Sequence, residues 1–237
     1  MTSAVLLSKS EIDAARDALR LMGASCLAPW PILLLRRLGI VGGVNLGDRL
    51  KSWDILTTAT FIKGRLPQET PILDIGAYAS EILCALHCLG YKSLSGVDLN
   101  PRIKEMPFAD PIHYEVADFM ATPFPDESFG AITAISVIEH GFQSERLLRE
   151  ISRLLRPGGY FIASFDYWPE KVDTTGVDIF GMDWRIFSKA EVLAFIEEAR
   201  AYGLSPCGGI DLEAEEKVIH WGGKEYTFAW LSLRKIV

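Results

Sequence analysis

The chain has 237 residues, of which 49% are hydrophobic and 23% charged, an ordinary globular composition and enough sequence to bury a full core. Its formal net charge of −7 argues against gripping a nucleic-acid backbone, which needs a basic face, and Arg36-Arg37 is a pair rather than a cluster. Nucleic acid is therefore not an expected partner.

Residues 1–21 read as a helix, with Ser10-Glu11 near its start and Ile12, Ala15, Leu19 and Met22 along one face. The stretch lacks the basic, apolar and small-residue regions of a secretory leader, and the four cysteines, without paired spacing, suit a reducing cytosol, so a cytoplasmic protein is expected. Met22 to Leu35 is fourteen residues without charge, short of the ~20 that cross a bilayer and broken by Pro29 and Pro31. Stable membrane insertion is not expected. The stretch suits a lid over a site or a homodimer contact better than docking on a membrane surface. Glycines 39, 42, 43 and 47 make 27–47 a loop, and a helix is predicted from Asp48 through Lys63, ended by Gly64. Residues 1–65 are thus expected to form an N-terminal helical cap, and 66–237 the main domain.

The main domain opens on Ile72-Leu73-Asp74-Ile75-Gly76, an apolar run that closes on a glycine before a helix over 80–89. A second apolar run, 94–98, ends on Asp98, about 20 residues past the turn, where an α/β nucleotide fold places the carboxylate that grips a ribose. The bland alternative for Asp98 is a solvated turn aspartate before Asn100-Pro101, but strand context and spacing favour the ligand. A helix or turn near 101–106 and a strand 112–116 ending near Asp118 follow. The pattern then predicts a strand over Phe129–Ile135 with Ser136 at its end, and a helix 145–155 stopped by Pro157-Gly158. Ligands of open α/β sheets bind outside the carboxyl ends of the strands, so these acids and glycines define one crevice. After a strand over 160–165, residues 166–187 form an insertion dense in rings and acids. Ser188 with Glu191 reads as a capping box opening a helix 189–202. Strands near 208–212 and 225–233 complete the pattern, the last pairing antiparallel.

The set Ile72-Leu73-Asp74-Ile75-Gly76, Gly96-Val97-Asp98-Leu99-Asn100-Pro101, Ala117-Asp118-Phe119 and Leu155-Arg156-Pro157-Gly158-Gly159, in that order, resembles the motif series of the class I methyltransferases that use S-adenosylmethionine (SAM). The resemblance covers about residues 70–165. It implies an α/β, Rossmann-like, doubly wound seven-stranded sheet, mostly parallel, with an antiparallel C-terminal strand, which a nicotinamide-binding domain lacks. It also implies SAM as cofactor and a methyltransferase acting on a small molecule. The family's turn carries glycines where this chain has Tyr78 and Ser80. Tyr78 either closes over the amino-acid end of the cofactor or crowds the site; Ser80 can cap the helix start with its hydroxyl.

On this reading Asp74, Gly76, Tyr78, Ser80, Asp98, Leu99, Asp118, Phe119 and Ser136 bind the cofactor. Gly76 lets the backbone come close, Asp98 takes the ribose hydroxyls, and Asp118 with Phe119 takes adenine. His140 is the candidate general base for an alcohol acceptor, with Asp166 in reserve, although a lone histidine after a strand is often structural. Asp166, Tyr167, Trp168, Asp173, Asp178, Phe180, Asp183, Trp184 and Phe187 suit a saccharide or other polyhydroxylated acceptor, or merely pack a lid. Cys26, Cys84, Cys88 and Cys207 lack the spacing of a complete metal site, so no metal is expected. The competing reading is a binding or scaffold protein that keeps the fold without activity, motivated by Tyr78 and Ser80.

Overall fold

The computed structural model, which describes residues 2–179 and 181–236, begins with a strand where the pattern predicts a helix. β1 (Ser3–Val5) pairs antiparallel with the end of the chain, Ser3 against Leu231 and Val5 against Ala229. Three residues are too few to show alternation, and their partner lies at the other terminus. The predicted helix shrinks to α1 (Lys9–Leu21), which buries Ile12, Ala15 and Leu19. The proline- and glycine-rich stretch is not all loop either: α2 (Trp30–Arg37) starts after Pro29, with Pro31 in its first turn, where a missing N–H costs nothing. None of the α2 residues is buried. A 3-10 turn at Arg49–Lys51 leads into α3 (Ser52–Lys63), which ends at Gly64 as predicted.

The α/β core then runs β2 (Ile72–Ile75), α4 (Ile82–Cys88), β3 (Leu94–Asp98), a 3-10 turn at Pro101–Glu105, β4 (Ile112–Val116), β5 (Phe129–Ile135), α5 (Ser144–Leu154) and β6 (Leu155–Tyr167). β6 starts earlier than its sequence signal because Leu155 already pairs with Phe129. An irregularity then carries Pro157-Gly158 before pairing resumes at Tyr160 opposite Ala131. A two-stranded hairpin, β7 (Asp178–Ile179) and β8 (Met182–Asp183), fills the insertion, whose Phe180 lies outside the described residues. α6 (Lys189–Arg200) is opened by the predicted capping box of Ser188 and Glu191. No strand forms at 208–212. β9 (Leu204–Pro206) takes that place on the sheet, and β10 (Ile219–Trp221) and β11 (Lys224–Lys235) close the chain.

Among the described residues the sheet has the order β1-β11-β6-β5-β2-β3-β4, with β9 and β10 also on β11. β6, β5, β2, β3 and β4 are mutually parallel, and β11 runs antiparallel to β6. The mostly parallel sheet with an antiparallel C-terminal strand is the architecture expected; β1, β9 and β10 are additions, all to β11. The chain builds outward from β2 to β4 and then returns to place β5 on the other side of β2. That reversal opens a crevice at the carboxyl ends of β2 and β5.

One face of the sheet is covered by apolar residues from the first 65 positions, including Leu6, Ile12, Leu19, Ile55 and Ile62, packed with Ile72, Leu83 and Trp230. The other face buries Leu148 of α5 and Phe195 of α6 against Leu73, Ile75 and Phe161. A buried ion pair ties the first layer to the crevice. Arg16 of α1 donates to both carboxylate oxygens of Glu81 at 2.8 Å, at the start of α4, and both side chains are 1% exposed. Among the described residues no helix is long and apolar enough to cross a membrane.

Candidate functional site

The turn between β2 and α4 forms the inner wall of the crevice. Gly76 has φ +68°, and a Cβ there would lie 2.4 Å from Val137 Cγ2. The glycine is thus demanded by backbone conformation and by the β5 loop packed on it, whereas the sequence suggested only room for a ligand. The second left-handed residue of the turn is Ala79, at φ 62°; Tyr78 and Ser80 are not in that region. Their side chains are therefore tolerated where the family usually has glycine. Ser80 does not cap α4 well: the cap position is Glu81, and the Ser80 hydroxyl stands 3.5 Å from the Ile82 N–H. Below the turn, Thr133 donates to Asp74 at 2.6 Å. Burial pushes the Asp74 carboxyl up to about 7, with the Thr133 and Ser80 hydroxyls acting against the rise and Asp98 adding to it.

Asp98, at the end of β3, accepts the Tyr78 N–H on Oδ2 at 3.0 Å and the Asn100 N–H on Oδ1 at 2.8 Å. A carboxylate has about four acceptor positions, so two remain for a ligand. From here the crevice runs along Gly76, Tyr78, Leu99, Asn100 and Phe119 to Ser136, Val137, His140 and Met182, enclosing about 590 Å³. Seven of the residues singled out in the sequence therefore line one cavity: Gly76, Tyr78, Asp98, Leu99, Phe119, Ser136 and His140. Asp74, Ser80, Asp118 and Asp166 are not in its lining. Asp118 accepts from the Met120 N–H at 2.8 Å and from Arg146 at 3.1 Å, an arrangement that orders the loop carrying Phe119.

At the far end of the crevice, Val137 to Gly141 is fastened to the insertion. Gly141 N–H donates to the Asp183 carbonyl at 2.9 Å and Arg185 N–H to the Glu139 carbonyl at 2.8 Å. Burial, and then the Lys51 ammonium, push the His140 imidazole down to about 4. It is neutral at physiological pH. Behind Ser136 lies a polar floor that sequence reasoning missed. Lys51 donates from Nζ to Ser136 Oγ and lies 3.8 Å from Asp166 Oδ1 and 4.0 Å from Asp54 Oδ2. Trp184 Nε1 donates to Asp166 Oδ2 at 2.8 Å. Asp54, Glu139 and Asp166 are all buried. The one local signal was Lys51 and Asp54 three apart in an otherwise apolar helical stretch. The rings of the insertion turn inward: Tyr167, Trp184 and Phe187 are at most 2% exposed.

The sheet order and the crevice at its switch point define a Rossmann-like α/β fold, whose ligands bind at such a point. Comparison with known proteins narrows the class. Residues 73–163 match the family model described as a methyltransferase domain. A sterol 24-C-methyltransferase of Gibberella zeae, ERG6B, is 43% identical over 53 residues, 22% of this chain and 14% of that protein. The cycloartenol-C-24-methyltransferase of Arabidopsis thaliana is 31% identical over 93 residues, 39% of this chain and 27% of that protein. These matches thus span well under two thirds of the relatives' length. Among solved structures, the geranyl diphosphate C-methyltransferase of Streptomyces coelicolor A3(2), in complex with Mg2+, geranyl diphosphate and S-adenosyl-L-homocysteine, superimposes with a TM-score of 0.57 at 15% identity. That likeness covers 93% of this chain and 98% of the other, and it speaks to the fold. The match of residues 73–163 agrees with the resemblance of the motif series to the class I methyltransferases that use SAM. The crevice fits that cofactor: its volume falls in the ~300–1,000 Å³ range of small-molecule sites, and Asp98 keeps free acceptor positions.

Proposed function

We propose that the chain transfers the methyl group of SAM to a small-molecule acceptor bound beside His140. The observation that carries this reading is the convergence of Asp98, Phe119, Ser136 and His140 on one crevice at the point where the strand order reverses. Asp98 holds the ribose hydroxyls with its free acceptor positions, Phe119 packs on adenine, and Asp118 braces the Phe119 loop. That sequence along the crevice directs the methionine end toward Ser136 and Val137.

The bound cofactor supplies an activated methyl group, so the protein's task is alignment and management of the acceptor's proton. His140, kept neutral by burial and by Lys51, lines the crevice at the end where an acceptor hydroxyl would lie. Its low basicity suits aligning that hydroxyl and passing the proton on better than storing it. Asp166, held by Trp184 and close to Lys51, supports this end of the site from behind.

For the acceptor, we favour a hydroxyl on a molecule with apolar surface over a saccharide. Of the insertion rings that would stack on a sugar, Tyr167, Trp184 and Phe187 are buried, while Tyr78, Leu99, Phe119, Val137 and Met182 line the crevice. Two curated relatives are named for C-24 methylation of a sterol or of cycloartenol, which agrees with the apolar surface and not with the hydroxyl. The test is calorimetric titration with S-adenosylhomocysteine, followed by mass spectrometry of acceptor panels incubated with methyl-labelled SAM. Micromolar binding and label transfer to apolar alcohols support the proposal; absence of any binding heat or thermal shift overturns it in favour of a scaffold protein that keeps the fold.

A further inference from the structure

Ser136 follows β5 and opens the loop that carries His140. Its φ is 53°, in the left-handed region that residues other than glycine rarely adopt. The conformation is held from two sides. The Ser136 N–H donates to the Ser164 carbonyl of β6 at 2.9 Å, and the Ser136 hydroxyl oxygen accepts from the Lys51 ammonium. Strain of this kind persists only where the surroundings over-determine it, and it gathers at sites that hold ligands. Ser136 lines the crevice.

Lys51 is in turn fixed from behind. Its Nζ lies 3.4 Å from the centroid of the Phe228 ring, 3.8 Å from Asp166 and 4.0 Å from Asp54, and the Trp184 indole holds Asp166 at 2.8 Å. Neither Lys51 nor these partners line the crevice; the ammonium reaches it through Ser136. An ammonium only donates, so the Ser136 oxygen is the acceptor of that bond, and the hydroxyl keeps its own proton to give to something else. Beside a cation, the strongest acceptor for it is an anion. His140 feels the same field, since Lys51 adds to the burial that pushes its imidazole down to about 4. Positive charge is disfavoured at this wall and negative charge favoured.

SAM and its product S-adenosylhomocysteine each carry a single anionic group, the carboxylate of the methionine end. We propose that the Ser136 hydroxyl anchors this carboxylate and that Lys51 is its positioning residue, orienting and polarising the hydroxyl from behind. The proposal rests on the cofactor assignment above. Lys51 fixes the direction of the Ser136 proton by occupying the oxygen from the other side, and its charge draws the carboxylate to the wall while turning the cofactor's own ammonium away from it. The N-terminal segment thereby sets how the methionine end lies without lining the crevice itself at this point. The acids behind Lys51 hold the ammonium in place, and the ligand meets only the hydroxyl.

The experiment is isothermal titration of the full chain with two ligands that differ in one group: S-adenosylhomocysteine, and its decarboxylated analogue S-adenosyl-3-thiopropylamine, which keeps the adenosine, the thioether and the amine. The wild-type protein should prefer S-adenosylhomocysteine. Ser136→Ala and Lys51→Met should each weaken its binding about ten- to a hundredfold, the worth of one hydrogen bond to a charged group. Both variants should leave the affinity for the analogue unchanged, so the preference collapses. If Lys51→Met does not fold, Ser136→Ala decides the matter by whether the preference is lost. A preference that the variants leave intact, or an equal weakening of both ligands, as a merely structural role would give, would overturn the proposal and leave the cofactor assignment standing. A wild-type chain that binds neither ligand would remove both.

Discussion

Replacing Asp98 by alanine tests whether this carboxylate is a ligand as well as the turn anchor that the geometry shows. Two of its acceptor positions take the Tyr78 and Asn100 N–H groups at 3.0 and 2.8 Å, and the half-buried side chain lines the crevice with the rest. A hydrogen bond to a charged group contributes about 1.5–3 kcal/mol, with partial exposure favouring the lower end. The variant should therefore bind S-adenosylhomocysteine about ten- to a hundredfold more weakly, one such bond's worth. Freed backbone groups that reach water cost less, about 1–2 kcal/mol, which for a chain of this size lowers the melting temperature by about 2–8 °C. Calorimetric titration measures the first effect and a circular dichroism melt the second. A lowered melting temperature with an unchanged dissociation constant would refute the ligand role and leave Asp98 a structural residue.

Glu81→Ala leaves the Arg16 guanidinium buried without its carboxylate, which should cost about 3–5 kcal/mol in denaturant unfolding; a loss below about 1 kcal/mol would mean that water reaches the pair. Asp54 is expected to make stability pH-dependent. Its folded-state value, about 7, lies above the ordinary 3.8, so its contribution is fully present below the ordinary value and is lost as pH rises through about 7. Asp54→Asn, a permanent neutral, should gain stability relative to wild type between about pH 5 and about pH 8, and parallel stability curves for the two proteins would contradict this. The Cys26 and Cys88 sulfurs are 3.8 Å apart, and diamide should join them into a disulfide detectable as a cross-linked peptide. Failure to recover that peptide from oxidised protein would show that the two thiols do not approach in solution.

The strands 94–98, 112–116 and 129–135 were legible because apolar residues continue or alternate through each of them between turn residues, and the crevice followed from what stands at their ends. β1 and β9 were not, since three-residue strands owe their existence to β11 and not to any local pattern. α2 was hidden by its prolines, which read as breakers although they sit at the helix start. The acid floor escaped for another reason. Lys51, Asp54 and Glu139 come from a 3-10 turn, a helix and a loop, and each looks like a surface residue until the fold gathers them around Asp166, which the sequence offered only as a reserve base.

The departure of the turn from its family pattern also has a non-local answer. Glycines would let such a turn relax into shape by itself, at the cost of conformational entropy. Here only Gly76 provides that freedom, and the rest of the geometry is imposed from outside. Ala79, in the left-handed region, gives its carbonyl to the Gly47 N–H at 2.6 Å and its N–H to Met106 Sδ at 3.3 Å. Val137 packs against Gly76, and Glu81 is gripped by Arg16 and by the Cys26 N–H at 2.7 Å. Three of these braces, Gly47, Cys26 and Arg16, come from the first 65 residues. The N-terminal segment therefore does for this turn what additional glycines do elsewhere, and the shape of the cofactor site depends on α1 being docked. Hydrogen exchange should then show the amides of 76–82 and of α1 opening together, with a common free energy; independent opening would separate the cap from the site.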